Sequence, residues 1–167
     1  IKFVVFVVPI QLTMALILAL IVNKKITGIG FFRTAYFSPA VLSLVVISIL
    51  WTVLLNPNSG LINEVLVVLG LSPQPFLTSS SQAMYAIIMI SAWSGCGYQM
   101  MIFLAGLTNI DTSQYEAAEL DGCGPLRQFW YITLPGLKPI TMFLVITTTI
   151  SAFKLIVQPM VMTGGGP

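Results

Sequence analysis

Residues 111–122 read DTSQYEAAELDG and hold four of the five acidic residues of the chain. This polar segment lies between two long apolar stretches and therefore marks a connection between them. Ser113 followed by Glu116 fits a capping box, with Ser113 as the N-cap and the Glu116 side chain reaching back to its amide. Gly122 supplies a C-terminal stop. The segment therefore predicts one short helix that ends at a glycine.

A second short helix is predicted directly after this glycine. Pro125 is predicted at the first position of this helix, where its missing N–H costs nothing. The helix is expected over 126–132 and is ended by Leu134 and Pro135. Residues 106–139 are thus predicted to form a connection that contains two short helices across a glycine turn.

The residues of this connection are compatible with two interpretations. Ala117, Ala118 and Gly122 leave no bulky side chain, so a partner protein could come close to the backbone. Asp121 at a helix C-terminus opposes the helix dipole, a local violation that is more expected at a functional site. In the alternative, Glu116 is only a cap and Asp121 only a turn residue.

The whole chain is too apolar for a soluble domain. Of its 167 residues, 57% are hydrophobic and 7% charged, whereas soluble domains carry about 25% charged residues. The absence of histidine and the presence of only two cysteines leave almost no ligands for a metal. We therefore expect no metal site, no cofactor and no nucleic-acid partner.

Four apolar stretches are long enough to span a bilayer, at roughly 20 residues for each helix. Their apolar runs are continuous rather than alternating, which favours helices over a barrel. The sequence therefore predicts an all-α polytopic membrane helical bundle. A further helix over 61–71 is expected either at the membrane surface or packed on its own protein. The predicted spans are residues 3–22, 34–55, 83–105 and 140–160.

Positive charge predicts the orientation of the spans, because loops rich in lysine and arginine stay in the cytoplasm. The second connection, 56–82, contains neither residue type. The first and third connections are therefore expected on the cytoplasmic side, although Lys2 and Lys154 oppose this bias. The charges that carry the prediction are Lys24, Lys25, Arg33, Arg127 and Lys138.

The motif spacing in the third connection resembles a known family. Glu116-Ala117-Ala118, three residues, Gly122, nine residues and then Ile132-Thr133-Leu134-Pro135 is similar to the EAA loop of binding-protein-dependent ABC importer permeases. We call residues 106–139 the EAA loop. The resemblance implies that the loop forms coupling helices on a cytoplasmic ATPase dimer. The implied docking residues are Glu116, Ala117, Ala118, Glu119, Asp121, Gly122, Ile132, Leu134 and Pro135.

A second resemblance narrows the family. Phe153-Lys154 and the ending 162–167 are similar to permeases that take up oligosaccharides and glycerol phosphate, and more to the maltose-type first permease than to the second. Asp111 and Cys123 depart from the residues usual in the family, proline and alanine, but leave the spacing intact.

The resemblance also implies what surrounds the chain. It covers the second to the fifth helix of a six-helix plan, so we expect residues 1–167 to be one transmembrane permease domain, truncated at both ends. The implied location is a bacterial or archaeal cytoplasmic (inner) membrane. The implied partners are the ATPase dimer, a second permease subunit, an extracytoplasmic solute-binding protein and membrane lipid. The chain itself is expected to perform no catalysis.

Polar residues on the third and fourth predicted spans suggest where a solute could pass. Thr147, Ser151, Lys154 and Gln158 recur on one predicted helix face. Hydroxyl and amide groups beside an aromatic ring would suit a sugar, although small polar residues also serve ordinary helix packing in membranes. The candidate pathway residues are Ser91, Gly95, Tyr98, Thr147, Thr148 and Ser151.

Three alternatives to a sugar importer are considered. An ABC importer for another solute, such as an amino acid or phosphate, would share the docking motif. A secondary transporter is disfavoured because no Asp or Glu lies within a predicted span. An intramembrane enzyme would need Ser151 and Lys154 as a dyad, without any oxyanion donor that can be named.

Overall fold

The computed structural model describes residues 1–23 and 28–166. Lys24 and Lys25, which carry part of the predicted orientation, lie outside the described residues. Within the described ranges the chain forms helices and no strand, as the sequence predicts. A 3₁₀ turn, Phe76–Thr78, and a π-helical turn, Phe129–Thr133, complete them. The helices are α1 (Lys2–Val22), α2 (Ile29–Val41), α3 (Leu44–Leu54), α4 (Leu61–Val68), α5 (Ala83–Thr108), α6 (Thr112–Leu120), α7 (Pro125–Gln128), α8 (Leu134–Gly136), α9 (Lys138–Phe153) and α10 (Val157–Thr163).

Helices α1 and α5 form the centre of the bundle and are each long and apolar enough to cross a membrane. They pack closely along their length, and α2 and α9 pack against them. Ala15, Ala19 and Ala92 are fully buried in this core, where small side chains let helix backbones come close. At Gly97 a Cβ atom would collide with the Tyr36 carbonyl oxygen of α2. Packing of α2 on α5 therefore requires glycine here.

The second predicted span is not one straight helix, which corrects the prediction for 34–55. It is divided into α2 and α3, which are bent by 98° relative to each other. The break follows Pro39 in the last turn of α2. Ser43 then caps α3, because its side chain accepts a hydrogen bond from the Val45 amide at 3.3 Å. Hydropathy does not register this cap, because the residues around it are apolar.

The fourth predicted span is shorter than expected, which corrects the prediction for 140–160. Helix α9 begins at Lys138 and ends at Phe153, and a separate helix, α10, follows. Helix α10 packs against α3. Counting each bent pair as one span gives up to four spans among the described residues, by length and composition.

The 56–82 connection contains α4, which begins at the predicted residue and ends three residues earlier than expected, at Val68. Asn63 is the buried residue of this helix, with 4% of its surface exposed. Its Nδ2 donates to the Gln74 carbonyl oxygen at 2.9 Å, and its Oδ1 accepts from the Gln74 amide at 2.9 Å. This pair of hydrogen bonds fixes α4 against the chain that follows it.

Candidate functional site

Helix α6 of the EAA loop begins two residues before the predicted position. Its N-cap is Asp111, whose Oδ1 accepts a hydrogen bond from the Ser113 amide at 2.9 Å. The predicted capping box is therefore wrong: Ser113 lies inside the first turn, and its amide is bound to Asp111 rather than to Glu116. Both Asp and Ser are strong N-caps, and the sequence alone did not distinguish the two starts.

The Asp111 carboxyl has an altered acidity. Hydrogen bonds from the Ser113 amide and then from the Ser113 hydroxyl hold the pKa of Asp111 below its ordinary value, because both stabilise the charged form. The negative charge also lies at the N-terminus of α6, where the helix dipole favours it. The residue that departs from the family pattern thus caps the helix.

Gly122 ends α6 as predicted. It has a φ of +72°, in the left-handed region. The Gly122 amide donates to the Glu119 carbonyl at 3.0 Å, and the Cys123 amide donates to the Ala118 carbonyl at 2.8 Å. These two bonds form a Schellman motif, which satisfies carbonyl groups at the helix end.

The second helix of the loop is longer than predicted. Pro125 occupies its first turn, as expected, but Leu134 and Pro135 do not end it. Helicity continues through the π-helical turn into α8 and stops before Leu137. In the π turn the Leu134 amide donates to the Phe129 carbonyl, and this wider turn accommodates a proline that would break a regular α-helix.

The two halves of the loop are joined by a side-chain hydrogen bond. The Tyr115 hydroxyl of α6 lies 2.9 Å from Thr133 Oγ1 in the π turn. At the base of the loop, a Cβ atom on Gly136 would lie 3.0 Å from Ile110 Cδ1, and one on Gly106 would collide with Ile140. At both positions glycine leaves space for an isoleucine side chain to pack against the helix.

The predicted docking residues lie on the surface of this structure. No residue of α6 is buried, and even Leu120 is 91% exposed. Three of them, Ala118, Ile132 and Leu134, are half-buried. The remaining predicted docking residues are exposed: Glu116, Ala117, Glu119, Asp121, Gly122 and Pro135.

The predicted pathway residues come together around one cavity. Its volume is about 340 Å³, and it lies between α1, the α2–α3 break, α5, α9 and the start of α10. Lys154, which directly follows α9, does not line it. The structure thus assembles all six predicted residues on one cavity wall: Ser91, Gly95, Tyr98, Thr147, Thr148 and Ser151.

Two glutamines add amide groups to this cavity. Gln99 of α5 donates from Nε2 to Thr148 Oγ1 at 2.6 Å. Gln158 of α10 accepts from the Ser91 hydroxyl. These bonds link α5 to α9 and to α10, so two of the predicted pathway residues, Ser91 and Thr148, also connect helices around the cavity.

A third glutamine was missed in the sequence. Gln11 of α1 lines the same cavity, and a Cβ atom on Gly95 would collide with its side chain. Gly95 therefore makes room for Gln11. The available signal was an amide side chain within an otherwise apolar span, since polar residues inside membrane helices usually face the bundle interior.

Comparison with known proteins places the chain in a family. The family model of the binding-protein-dependent transport system inner membrane component matches residues 3–167. The chain is 42% identical to the lactose transport system permease protein LacF of Rhizobium radiobacter over 89% of its length and 50% of that protein. It is 34% identical to the trehalose/maltose transport system permease protein MalF of Thermococcus litoralis, over 96% and 54%.

The fold has a solved counterpart. A chain of the bacterial alginate ABC transporter, in complex with an alginate pentasaccharide-bound periplasmic protein, superposes with a TM-score of 0.84 at 24% identity. The superposition covers 98% of this chain and 59% of that one. The chain spans about half the length of the curated relatives it matches.

The predicted family and the predicted helical membrane fold are thus confirmed: the chain belongs to the binding-protein-dependent transport system inner membrane components.

Proposed function

We propose that this chain is the core of a permease subunit in an ATP-driven importer, and that it moves a sugar, an oligosaccharide or a glycerol-phosphate-like solute across the cytoplasmic membrane. The observation that carries this proposal is the EAA loop. Its motif residues Glu116, Ala117 and Ala118 lie on a capped helix, α6, that has no buried residue.

The chemistry of α6 supports docking onto another protein. Glu116, Glu119 and Asp121 give it negative charge, and the small, exposed side chain of Ala117 leaves its backbone accessible. A cleft with basic residues on an ATPase would complement such a helix in charge and shape. The remaining predicted docking residues, Ile132, Leu134 and Pro135, belong to the helical segment that leads from the loop into α9.

The partners and the orientation follow from the same proposal. ATP hydrolysis belongs to a separate ATPase dimer, because the chain has no Gly-rich phosphate-binding loop with lysine and serine or threonine. The EAA loop faces the cytoplasm, a second permease subunit completes the pathway, and a solute-binding protein delivers the solute from outside. The periplasmic protein in the alginate transporter complex is consistent with this arrangement.

The substrate class is supported by the relatives and by the cavity. Among the relatives are permeases named for lactose, for trehalose and maltose, and for sn-glycerol 3-phosphate. The cavity offers hydroxyl groups from Ser91, Thr147 and Ser151 with the aromatic ring of Tyr98. Hydroxyl groups and an aromatic face are the partners that a sugar needs.

Charge reversal at the loop tests the docking proposal. In the full-length subunit expressed with its partners, Glu116→Lys should abolish copurification of the ATPase and ATP-driven uptake, because it places a cation against a basic cleft. Glu64→Lys is the matched control, since Glu64 is an exposed glutamate on α4, and it should leave both unchanged. Normal ATPase binding and full uptake by Glu116→Lys would refute the proposal.

A further inference from the structure

Helix α4 exposes apolar side chains and buries a polar one, the reverse of a helix on a soluble protein. Leu61, Val65 and Val68 recur at i, i+4 and i+7, so they share one face of the helix. They are 60%, 57% and 86% exposed, and we call these three residues the α4 stripe. Asn63 lies on the other side of the helix and is its buried residue. The part of the chain that the structure describes thus leaves the α4 stripe open.

The orientation of α4 is fixed at both of its ends. A Cβ atom on Gly60, the N-cap of α4, would collide with the Leu54 carbonyl oxygen at the end of α3. At the other end Gly70 turns the chain with a φ of +77°, and its amide donates to the Val67 carbonyl at 3.0 Å. Between these ends, the Asn63 side chain is bonded to the chain that follows. The exposure of the α4 stripe therefore belongs to a held helix and not to a loose loop.

The contacts of α4 place it where two spans end. Asn63 is bonded to Gln74, and Gln74 Oε1 accepts a hydrogen bond at 2.9 Å from Nε2 of Gln82, the N-cap residue of α5. Helix α5 is long and apolar enough to cross a membrane, and α2 with α3 form a bent pair that passes the same test. Because α4 is attached to the end of one span and to the start of the next, it lies at a boundary of the bilayer. Helix α5 separates this boundary from the EAA loop, so it is the outer one in the proposed orientation.

The size and chemistry of the α4 stripe favour lipid over protein as its partner. A stable protein interface uses about 20–30 residues a side and about ten hydrogen bonds. Helix α4 has eight residues, and the side chains of its stripe are hydrocarbon without any donor or acceptor. Helices that lie in a membrane surface bury such an apolar face about 5–10 Å into the boundary between headgroups and acyl chains. Glu64, exposed beside the stripe, would then remain among the headgroups.

We infer that α4 is an interfacial membrane helix whose stripe inserts into the outer leaflet of the bilayer, with lipid acyl chains as its partner. Through Asn63, Gln74 and Gln82 the helix would set the depth of the outer end of α3 and of the start of α5. The inference goes beyond the proposed function, because it concerns a surface that takes no part in docking of the ATPase or in contact with the solute. Only the name of the leaflet depends on the proposed orientation.

Electron paramagnetic resonance on the complete importer in lipid nanodiscs tests the inference. A nitroxide is attached to Val65→Cys or Val68→Cys in a subunit that carries no other cysteine. Its collisions are then measured with oxygen, which concentrates in the bilayer, and with a water-soluble nickel chelate. At both positions the label should collide readily with oxygen and be protected from the nickel chelate, because the stripe faces acyl chains.

Two matched positions serve as controls. Ser80→Cys lies in the same connection at an exposed residue, and its label should show the reverse preference, for the nickel chelate. Glu64→Cys lies beside the stripe on the same helix, so the ratio of oxygen to nickel collisions should be lower there than at Val65 and Val68. Copurification of the ATPase checks that each labelled variant is assembled, and Leu61→Cys supplies a third stripe position should one of the two fail this check.

Three results would overturn the inference. A preference for the nickel chelate along the stripe would show that α4 faces water. Protection of the stripe from both reagents, with an immobilised spectrum, would show that another protein covers it. A loss of oxygen collisions when the solute-binding protein is added would identify that protein as the partner. The measurement requires no transported solute, so its outcome is independent of whether the proposed transport function holds.

Discussion

Gly122 shows how one residue determines the shape of the EAA loop. Its φ of +72° lies in the left-handed region, which residues with a Cβ atom adopt at a cost of roughly 1–2 kcal/mol. No atom lies within 4 Å of the position where its Cβ would be. A substitution there therefore strains the backbone without any collision, which makes the conformational effect measurable by itself.

Gly122→Ala should weaken the Schellman motif at the end of α6. We expect hydrogen exchange at the amide of Cys123, which donates to Ala118, to accelerate roughly 5- to 30-fold for a loss of this size. Gly124→Ala is the control, because Gly124 has a φ of −69° and no neighbour within 4 Å of its Cβ position. Equal exchange rates in the two variants would contradict the assignment of Gly122 to the turn.

Among single residues, the sequence predicted the structure best where the backbone conformation suits only one residue type. The turn at Gly122 and the first helical turn at Pro125 could be predicted, because backbone dihedral angles restrict the choice there. The N-cap could not, since Asp111 and Ser113 compete for the same role. The hydrogen bonds of Gln99 and Gln158 depend on neighbours from α9 and α5, which no local sequence pattern contains.

Two elements of the loop depend on one contact between them. The hydrogen bond between Tyr115 and Thr133 joins α6 to the π turn, and a hydrogen bond of this kind contributes about 1 kcal/mol. Helix α6 itself has no buried residue. The position of α6 relative to the bundle should therefore be sensitive to this pair.

Tyr115→Phe and Thr133→Val should each lower the thermal stability of the purified subunit in detergent. The double variant should lose less than the sum of the two single losses, because both single variants remove the same hydrogen bond. Tyr131→Phe is the control, since Tyr131 is 78% exposed and should be neutral. Additive losses would show that the two residues act separately.

Element boundaries were predicted well where apolar length alone defines them, as in α1 and α5. The predicted boundaries were wrong where a helix ends within an apolar stretch. At Leu42 and Ser43 the helix stops and a serine cap begins a new one, and at Lys154 α9 ends without a strong sequence signal. At Pro135 the sequence predicted a helix end where helicity in fact continues, because the wider π turn before it accommodates a residue without an N–H.

At the scale of the whole molecule, the proposed orientation can be tested with the two cysteines of residues 1–167, in a subunit that carries no other cysteine. Cys96 is buried in α5, and Cys123 is half-buried in the EAA loop. A membrane-impermeant maleimide should label the Cys96→Ala variant only in inside-out vesicles. The Cys123→Ala variant should not be labelled from either side.

A cysteine on the opposite connection provides the control for this experiment. Ser80 is exposed, so Ser80→Cys in a chain without the two natural cysteines should be labelled only in right-side-out vesicles. Labelling of Cys123 from the outside would reverse the proposed orientation and would contradict docking of the EAA loop onto a cytoplasmic ATPase.

The glycine contacts at the base of the loop, between Gly136 and Ile110 and between Gly106 and Ile140, have a mechanical consequence. They hold the C-terminal end of α5 against the start of α9 and against α8. Close packing at this point limits bending between the loop and the two helices, so that a displacement of the loop is not lost in local flexing. We therefore expect a force on α6 to reach α5 and α9 as one joint rotation, and these two helices carry Gln99 and Thr148 on the cavity wall.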